Sequence, residues 1–158
     1  MQRPNIFVSS CAWANLPDPR QNAVLANLFT SGWQQWEPHL EPLEMTTGQV
    51  LYEPGRQSEY LYFPVTALVS LQYPAANGSP AEIAAVDNQG MVGIGLLLGG
   101  AVTPGRAVVR IAGIAFRWQA QVIRDEFNQS SLFMELMLRY TQALIAQMAH
   151  NVGRLSAM

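Results

Sequence analysis

Residues 60–73 read Tyr60-Leu-Tyr-Phe-Pro-Val-Thr-Ala-Leu-Val-Ser-Leu-Gln-Tyr73, and this stretch decides the fold class. It holds two short runs, 60–63 and 67–73, that are rich in aromatic and aliphatic residues. Runs of this length and composition, separated by a proline, are typical of β-strands. The stretch is therefore predicted to form two consecutive strands.

Four further runs of the same kind flank this stretch, at residues 50–52, 82–86, 107–111 and 114–118. Turn-forming residues separate the runs, as in Glu53-Pro-Gly55 and Asn77-Gly78. Six short strands at spacings of roughly 8 to 12 residues, without alternating helices, predict a mainly β domain, either a β-sandwich or a jelly-roll barrel.

Helical patterns lie on both sides of the strand region. Residues 20–40 have helical spacing and are closed by Pro38 and Pro42, and the chain becomes helical again after Trp118. We therefore predict three parts. An N-terminal helical segment covers 1–42, the β-barrel 43–118, and C-terminal helices 119–158, with one long helix from about residue 131.

The long helix carries two apolar stripes. One has the four-three spacing of a coiled coil. It comprises Met134, Leu138, Thr141, Ile145, Met148 and Val152. The other comprises Phe133, Met137, Tyr140 and Leu144, and it gives way to Gln147 and Asn151. Two stripes indicate a helix that packs on its own barrel with one face and on a second copy of the chain with the other, which predicts a homodimer. The alternative is a single wide stripe that faces the core.

Composition excludes several kinds of site. The chain has 158 residues, and all nine basic residues are arginine, so Schiff-base chemistry and a P-loop lysine are excluded. One cysteine, Cys11, and two histidines, His39 and His150, are too few for an iron–sulfur cluster or a cupin-type metal centre, so the alternative of a cupin-type enzyme is disfavoured.

A net charge of −2 disfavours DNA binding by this chain alone. No signal peptide or membrane span is recognisable, and we expect a cytoplasmic protein.

Arg106 is the candidate binding residue. It follows a Pro-Gly turn, leads into an apolar strand and comes after the glycine-rich run 90–100. Glycine-rich backbone and a planar guanidinium together can hold a phosphate or carboxylate. From the residues alone, an arginine in a surface ion pair at a strand end is the favoured interpretation.

The order of these motifs resembles the cyclic-nucleotide-binding domain of Crp/Fnr-type bacterial regulators. The resemblance rests on Gly48, Gly55, residues 60–63, Gly90-Met-Val-Gly93, Arg106-Ala107 and the terminal helix, and it covers roughly residues 20–155. It implies a jelly roll that binds a cyclic nucleotide or another phosphate or carboxylate effector through a cassette, with a dimerisation helix behind it. The residues that it implies for ligand binding are Gly93, Ile94, Gly95, Leu96, Arg106 and Ala107.

Two departures from this family pattern qualify the expectation. Ile94 stands where the family places a glutamate that accepts a hydrogen bond from the ribose, and an isoleucine cannot accept one. We therefore expect weak binding of ordinary cyclic nucleotides, and Leu96, Leu97 and Leu98 suggest a more apolar pocket. The second departure is that only three residues follow Leu155, so a DNA-reading helix-turn-helix is expected outside this chain. A ligand-free dimerisation module that pairs with a full-length relative remains an alternative function.

Overall fold

A computed structural model of the protein describes residues 17–30, 34–56, 58–97 and 105–156. The seven strands are β1 (Glu41–Met45), β2 (Val50–Tyr52), β3 (Tyr60–Pro64), β4 (Leu68–Pro74), β5 (Pro80–Val86), β6 (Arg106–Ile111) and β7 (Gly113–Gln119). The three α-helices are α1 (Ala23–Thr30), α2 (Ala120–Gln129) and α3 (Ser131–Ser156), and short 3₁₀ helices cover Pro19–Gln21, Gln34–His39 and Ile94–Leu96. Cys11, Leu98 and Pro104 lie outside the described residues.

The strands form two antiparallel sheets, in the orders β1-β7-β3 and β2-β6-β4-β5. Consecutive strands β4 and β5 are joined by the predicted Asn77-Gly78 turn, where Gly78 has a φ of 83° that favours glycine. All six predicted strands are present. The fold class predicted from the sequence, a mainly β jelly roll with flanking helices, is confirmed.

Strand β1 is the element that the sequence did not indicate. It begins at Glu41 and runs through Pro42, whereas the prolines of this region predict only the end of a helical segment. β1 lies at the edge of its sheet, where Pro42 is the partner of Phe116 in β7. Proline is tolerated on an edge strand because a missing N–H need not interrupt a ladder on both sides.

The core lies between the sheets and beneath the helices. Its largest fully buried side chains include Trp118 and Phe63, whose rings meet edge to face with centroids 5.8 Å apart. One fully buried polar residue, Asn22, holds α1 on this core. Its Oδ1 accepts hydrogen bonds from the N–H groups of Val24 and Leu25, and its Nδ2 donates to the carbonyls of Pro64 and Gly90. Asn22 therefore caps α1 and ties it to two distant parts of the chain.

The two stripes of α3 have different environments. Phe133, Met137 and Leu144, from the second stripe, are buried in the domain core. In the coiled-coil stripe, Leu138, Ile145 and Val152 are 48%, 60% and 48% exposed. The other members of that stripe, Met134, Thr141 and Met148, are half-buried. The helix thus packs on its own barrel with one face and leaves a row of aliphatic side chains at seven-residue intervals on the other.

Polar side chains continue the buried face of α3 where the apolar stripe ends. Asn151 Nδ2 donates to the carbonyl of Ile83 at 2.8 Å, and Gln147 Nε2 lies 3.5 Å from the carbonyl of Ala85. Both carbonyls belong to β5, the edge strand of the four-stranded sheet. An edge strand presents backbone groups without a neighbouring strand, and here the helix supplies their partners. Within the described ranges, no helix is long and apolar enough to cross a membrane.

Candidate functional site

Arg106 is the first residue of strand β6, one residue before the predicted run 107–111. Arg106 pairs with Gln72 on β4, and the next residue, Ala107, pairs with Tyr52 on β2. Gly105 makes this start of the strand possible, because a Cβ there would lie 2.7 Å from the ring of Tyr73 and 2.8 Å from the carbonyl oxygen of Gln72. The sequence therefore brings the guanidinium to the end of the four-stranded sheet.

The guanidinium of Arg106 is only partly satisfied. Its Nη2 lies 3.7 Å from Oε1 of Glu53, an ion pair too long to be a hydrogen bond. The two side chains are 35% and 44% exposed. The Nε atom is buried, and among the described residues it has no hydrogen-bond partner. A buried N–H donor without an acceptor is unfavourable by about 1–3 kcal/mol, so this edge of Arg106 is suited to an added oxyanion.

Glu53 is a site residue that sequence reasoning missed. The Glu53-Pro-Gly55 segment indicates a turn, and Gly55 has the positive φ, 74°, that such a turn uses. The glutamate follows β2 directly, and β2 pairs with β6. A register prediction for these two strands would have been needed to place Glu53 beside Arg106.

Tyrosines surround the same end of the sheet. Tyr52 pairs with Ala107 across the strands, and Tyr73 packs against Gly105. Burial, with a smaller effect from Tyr73, raises the pKa of Tyr52 to about 12. The Tyr52 hydroxyl therefore stays protonated at neutral pH and can act as a hydrogen-bond donor.

The glycine-rich segment forms a short turn that lies against β3. Gly93 has a φ of 102° and precedes the 3₁₀ helix Ile94–Leu96. A Cβ on Gly93 would lie 3.0 Å from the carbonyl oxygen of Tyr60, so glycine is needed both for the conformation and for the close approach. Ile94 and Leu96 are 9% and 1% exposed and belong to the hydrophobic core. Gly95, in contrast, has open space beside its Cα.

Both C-terminal helices contact this segment. Arg124 of α2 donates a hydrogen bond from Nη2 to the carbonyl of Leu96 at 3.2 Å. The hydroxyl of Tyr140 on α3 donates to the carbonyl of Met91 at 2.9 Å and accepts from the Met91 N–H at 3.0 Å. Tyr140 reaches Met91 because Gly90 has no side chain, since a Cβ there would lie 2.6 Å from the Tyr140 hydroxyl oxygen. The helices are thus attached to the start and to the end of the turn.

The predicted site residues fall into two groups in the structure. Arg106 and Ala107 lie on β6 with Glu53 and Gln72, whereas Gly93, Ile94, Gly95 and Leu96 lie against β3 and α2. Residues 98–104, which connect the two groups, lie outside the described part of the chain. His39 and His150 are both exposed.

Comparisons with known proteins identify solved structures with a similar fold. No protein-family model matches the sequence, and no curated protein matches it. Among solved structures, the c-di-GMP responsive global regulator CLP of Xanthomonas campestris matches with a TM-score of 0.65 and 14% identity, over 80% of this chain and 64% of that one. The N-terminal domain of a transcriptional regulator from Streptomyces coelicolor A3(2) matches with a TM-score of 0.60 and 15% identity, over 83% and 94% of the two chains.

A cyclic nucleotide-binding domain from Methylobacillus flagellatus matches with a TM-score of 0.61 and 16% identity, over 76% of this chain and 68% of that one. Identities this low show a common fold. The protein has the jelly-roll fold of cyclic-nucleotide-binding domains, as the resemblance implied. It spans less than two thirds of the length of the Xanthomonas regulator, whose match covers 64% of that chain.

Proposed function

We propose that this chain is the effector-sensing domain of a cytoplasmic Crp/Fnr-type transcription regulator. In this proposal Arg106 binds a small anionic, nucleotide-like ligand, and α3 transmits occupancy to a DNA-reading part outside these residues. The observation that carries it is the buried Nε of Arg106, which has no acceptor among the described residues, at the end of a sheet in this fold.

The remaining proposed ligand contacts are assigned by burial. Ile94 and Leu96 lie in the core, so we assign their part of the site to backbone rather than side-chain contacts. Gly95 is half-buried, and no atom of the described residues lies within 4 Å of the position that a Cβ would take, which suits a close approach of ligand to backbone. An isoleucine at position 94 offers no acceptor for a ribose hydroxyl, which supports weak binding of ordinary cyclic nucleotides.

Isothermal titration with cyclic AMP, cyclic GMP and cyclic di-GMP tests the ligand proposal. We expect at least one of them to bind with a Kd above 1 μM and the Arg106→Ala variant to lose that binding. Arg110→Ala is the matched control. Arg110 lies on the same strand but is exposed and paired with Glu82 at 2.8 Å, so its removal should leave binding unchanged. Equal affinity of wild type and Arg106→Ala would contradict the proposal, and sub-micromolar binding of cyclic AMP or cyclic GMP would contradict the expected effect of Ile94.

We also propose that α3 pairs with α3 of a second copy. Leu138, Ile145 and Val152 form an exposed aliphatic row with heptad spacing, the pattern that pairs helices in coiled coils. Met134, Thr141 and Met148 are half-buried beside this row and would flank the contact.

Sedimentation velocity tests the dimer. We expect wild type to sediment as a dimer and Leu138→Glu or Ile145→Glu as a monomer, because a charge in the seam would be buried without a partner. Leu132→Glu is the control, since Leu132 is also 48% exposed but lies on α3 outside the heptad row. A wild-type monomer at high micromolar concentration, or a dimer that survives both seam substitutions, would contradict this pairing.

A ligand-free dimerisation module is the second candidate. It is favoured by Glu53, which already lies beside Arg106, and by Ile94 in place of an acceptor. It predicts the same dimer, no binding of any of the three nucleotides, and an Arg106→Ala variant that behaves as wild type in every assay.

A further inference from the structure

We propose that Glu53 is an internal counter-ion of Arg106 that a bound ligand displaces, and that it thereby limits the affinity of the site for anions. This inference rests on the proposed ligand site at Arg106. It assigns to Glu53 a role in selecting ligands by charge, which the sequence does not indicate.

The geometry of the pair shows that the carboxylate of Glu53 is not fixed by a hydrogen bond to Arg106. The ion pairs among the described residues range from 2.8 to 3.7 Å, and the Glu53–Arg106 pair is the longest. By comparison, Arg110 lies 2.8 and 2.9 Å from the two carboxylate oxygens of Glu82. The Glu53 carboxylate thus neutralises Arg106 without making the short hydrogen bonds that would hold it there.

The edge of Arg106 that lacks short hydrogen bonds is the one that binds oxyanions in a bidentate manner. Nε and Nη2 lie along the same edge of the planar guanidinium, and together they can donate two parallel hydrogen bonds to one phosphate or carboxylate. Glu53 contacts Nη2 at 3.7 Å, and the buried Nε has no acceptor in the described part of the chain. A ligand with two anionic oxygens would satisfy both groups, whereas Glu53 satisfies neither with a hydrogen bond.

Displacement of Glu53 requires little rearrangement. Its side chain is 44% exposed and follows the end of β2, immediately before a Pro-Gly turn, so the carboxylate can rotate into water. An exposed ion pair contributes little to stability, so its loss when a ligand anion binds is only slightly unfavourable. Until it moves, however, the negative charge repels every anion that approaches Arg106. The repulsion grows with ligand charge, so Glu53 weakens the binding of a doubly charged monoester more than that of a singly charged diester.

Calorimetric titration of Glu53→Gln with cyclic AMP and 5′-AMP at pH 8 tests this role. Glutamine keeps the size of the side chain and removes its charge. With a like charge removed from a separation of roughly 5 Å in a water-like dielectric, affinity for monoanionic cyclic AMP should rise about fourfold. For dianionic 5′-AMP it should rise about 16-fold, because the electrostatic free energy doubles with the charge. Raising NaCl from 50 to 300 mM should reduce both gains, since salt screens exposed charges.

Glu82→Gln and Arg106→Ala are the controls. Glu82 is a similarly exposed carboxylate paired with Arg110, so its substitution removes the same net charge elsewhere on the sheet. An equal gain in Glu82→Gln would show a general charge effect and overturn the proposal. So would unchanged or weaker binding in Glu53→Gln, while loss of binding in Arg106→Ala would still support the ligand site. If no variant binds either nucleotide, the role of Glu53 is refuted, and the ligand site itself is refuted when cyclic GMP and cyclic di-GMP also fail to bind.

Discussion

Tyr140 connects the long helix to the segment that leads into the Gly93 turn, and its hydroxyl is the group to remove first. The Tyr140→Phe substitution keeps the ring and deletes two hydrogen bonds, one to the N–H and one to the carbonyl of Met91. Met91 is fully buried, so neither group can turn to bulk water. Each buried group left without a partner is unfavourable by about 1–3 kcal/mol, and partial relaxation brings the expected total to about 2–3 kcal/mol of unfolding free energy.

Urea unfolding with linear extrapolation measures this loss. We expect the midpoint to fall with an unchanged m-value, since the surface exposed on unfolding is the same. Tyr73→Phe is the control, because the hydroxyl of this half-buried tyrosine makes no hydrogen bond among the described residues, and it should change stability by less than about 0.5 kcal/mol. A loss below that value in Tyr140→Phe would refute the two-point attachment.

Gly90→Ala provides an independent check on the same contact. The added Cβ would lie 2.6 Å from the Tyr140 hydroxyl oxygen but 3.1 Å from the nearest ring carbons. Removing the hydroxyl therefore relieves the tightest contact. Gly90→Ala should be less destabilising in the Tyr140→Phe background than in wild type, a coupling of at least about 0.5 kcal/mol for residues in direct contact. Strictly additive effects would contradict the close approach.

Three further predictions concern stability. Asn22→Ala removes a helix cap and leaves the Pro64 and Gly90 carbonyls unpaired, so the unfolding free energy should fall by about 3 kcal/mol. Asn77→Ala, at an exposed turn residue, is the control and should change the unfolding free energy by less than about 1 kcal/mol, as compared by thermal melting. Asn151→Leu leaves the Ile83 carbonyl at the β5 edge without its hydrogen-bond donor and should lower the urea midpoint, whereas His150→Leu, at the exposed neighbouring position, should not. Equal midpoints for the two variants would show that the edge contact does not stabilise the protein. Burial raises the pKa of Tyr52 to about 12, above the value of about 10 in the unfolded chain, so the stability that the protonated hydroxyl contributes is complete below pH 10 and is lost as pH rises from 10 through 12. Tyr52→Phe should therefore flatten the fall in the urea midpoint between pH 10 and 11.5.

Local sequence patterns predicted the elements well because each pattern reports on a few adjacent residues. The six strand runs and the long helix have the composition and periodicity of their structures, and Arg106 lies at the strand end where the Pro-Gly turn places it. Strand β1 was missed because Pro42 is a strong local signal against regular structure, and only its edge position makes a strand there acceptable.

The contacts that organise the candidate site join residues far apart in sequence, and no periodicity reports on them. Gln147 and Asn151 read as the end of an apolar stripe, yet they are partners for carbonyls of β5. Asn22 reads as an ordinary polar residue before a helix, yet it is fully buried and bonds to Gly90, 68 residues away.

By itself, the sequence determined the mainly β class and the two-faced character of α3, since these follow from residue type and local spacing. The jelly roll and Arg106 as the candidate anion-binding residue were implied by the family resemblance of its motifs. The tertiary structure alone decided what each of them meets. The pairing of β2 with β6 brings Glu53 to Arg106, and the packing of α3 on the barrel brings Tyr140 to Met91. The physical reason is that periodicity specifies which face of an element is apolar, whereas burial, register and hydrogen-bond satisfaction across distant segments specify the partner of each polar group.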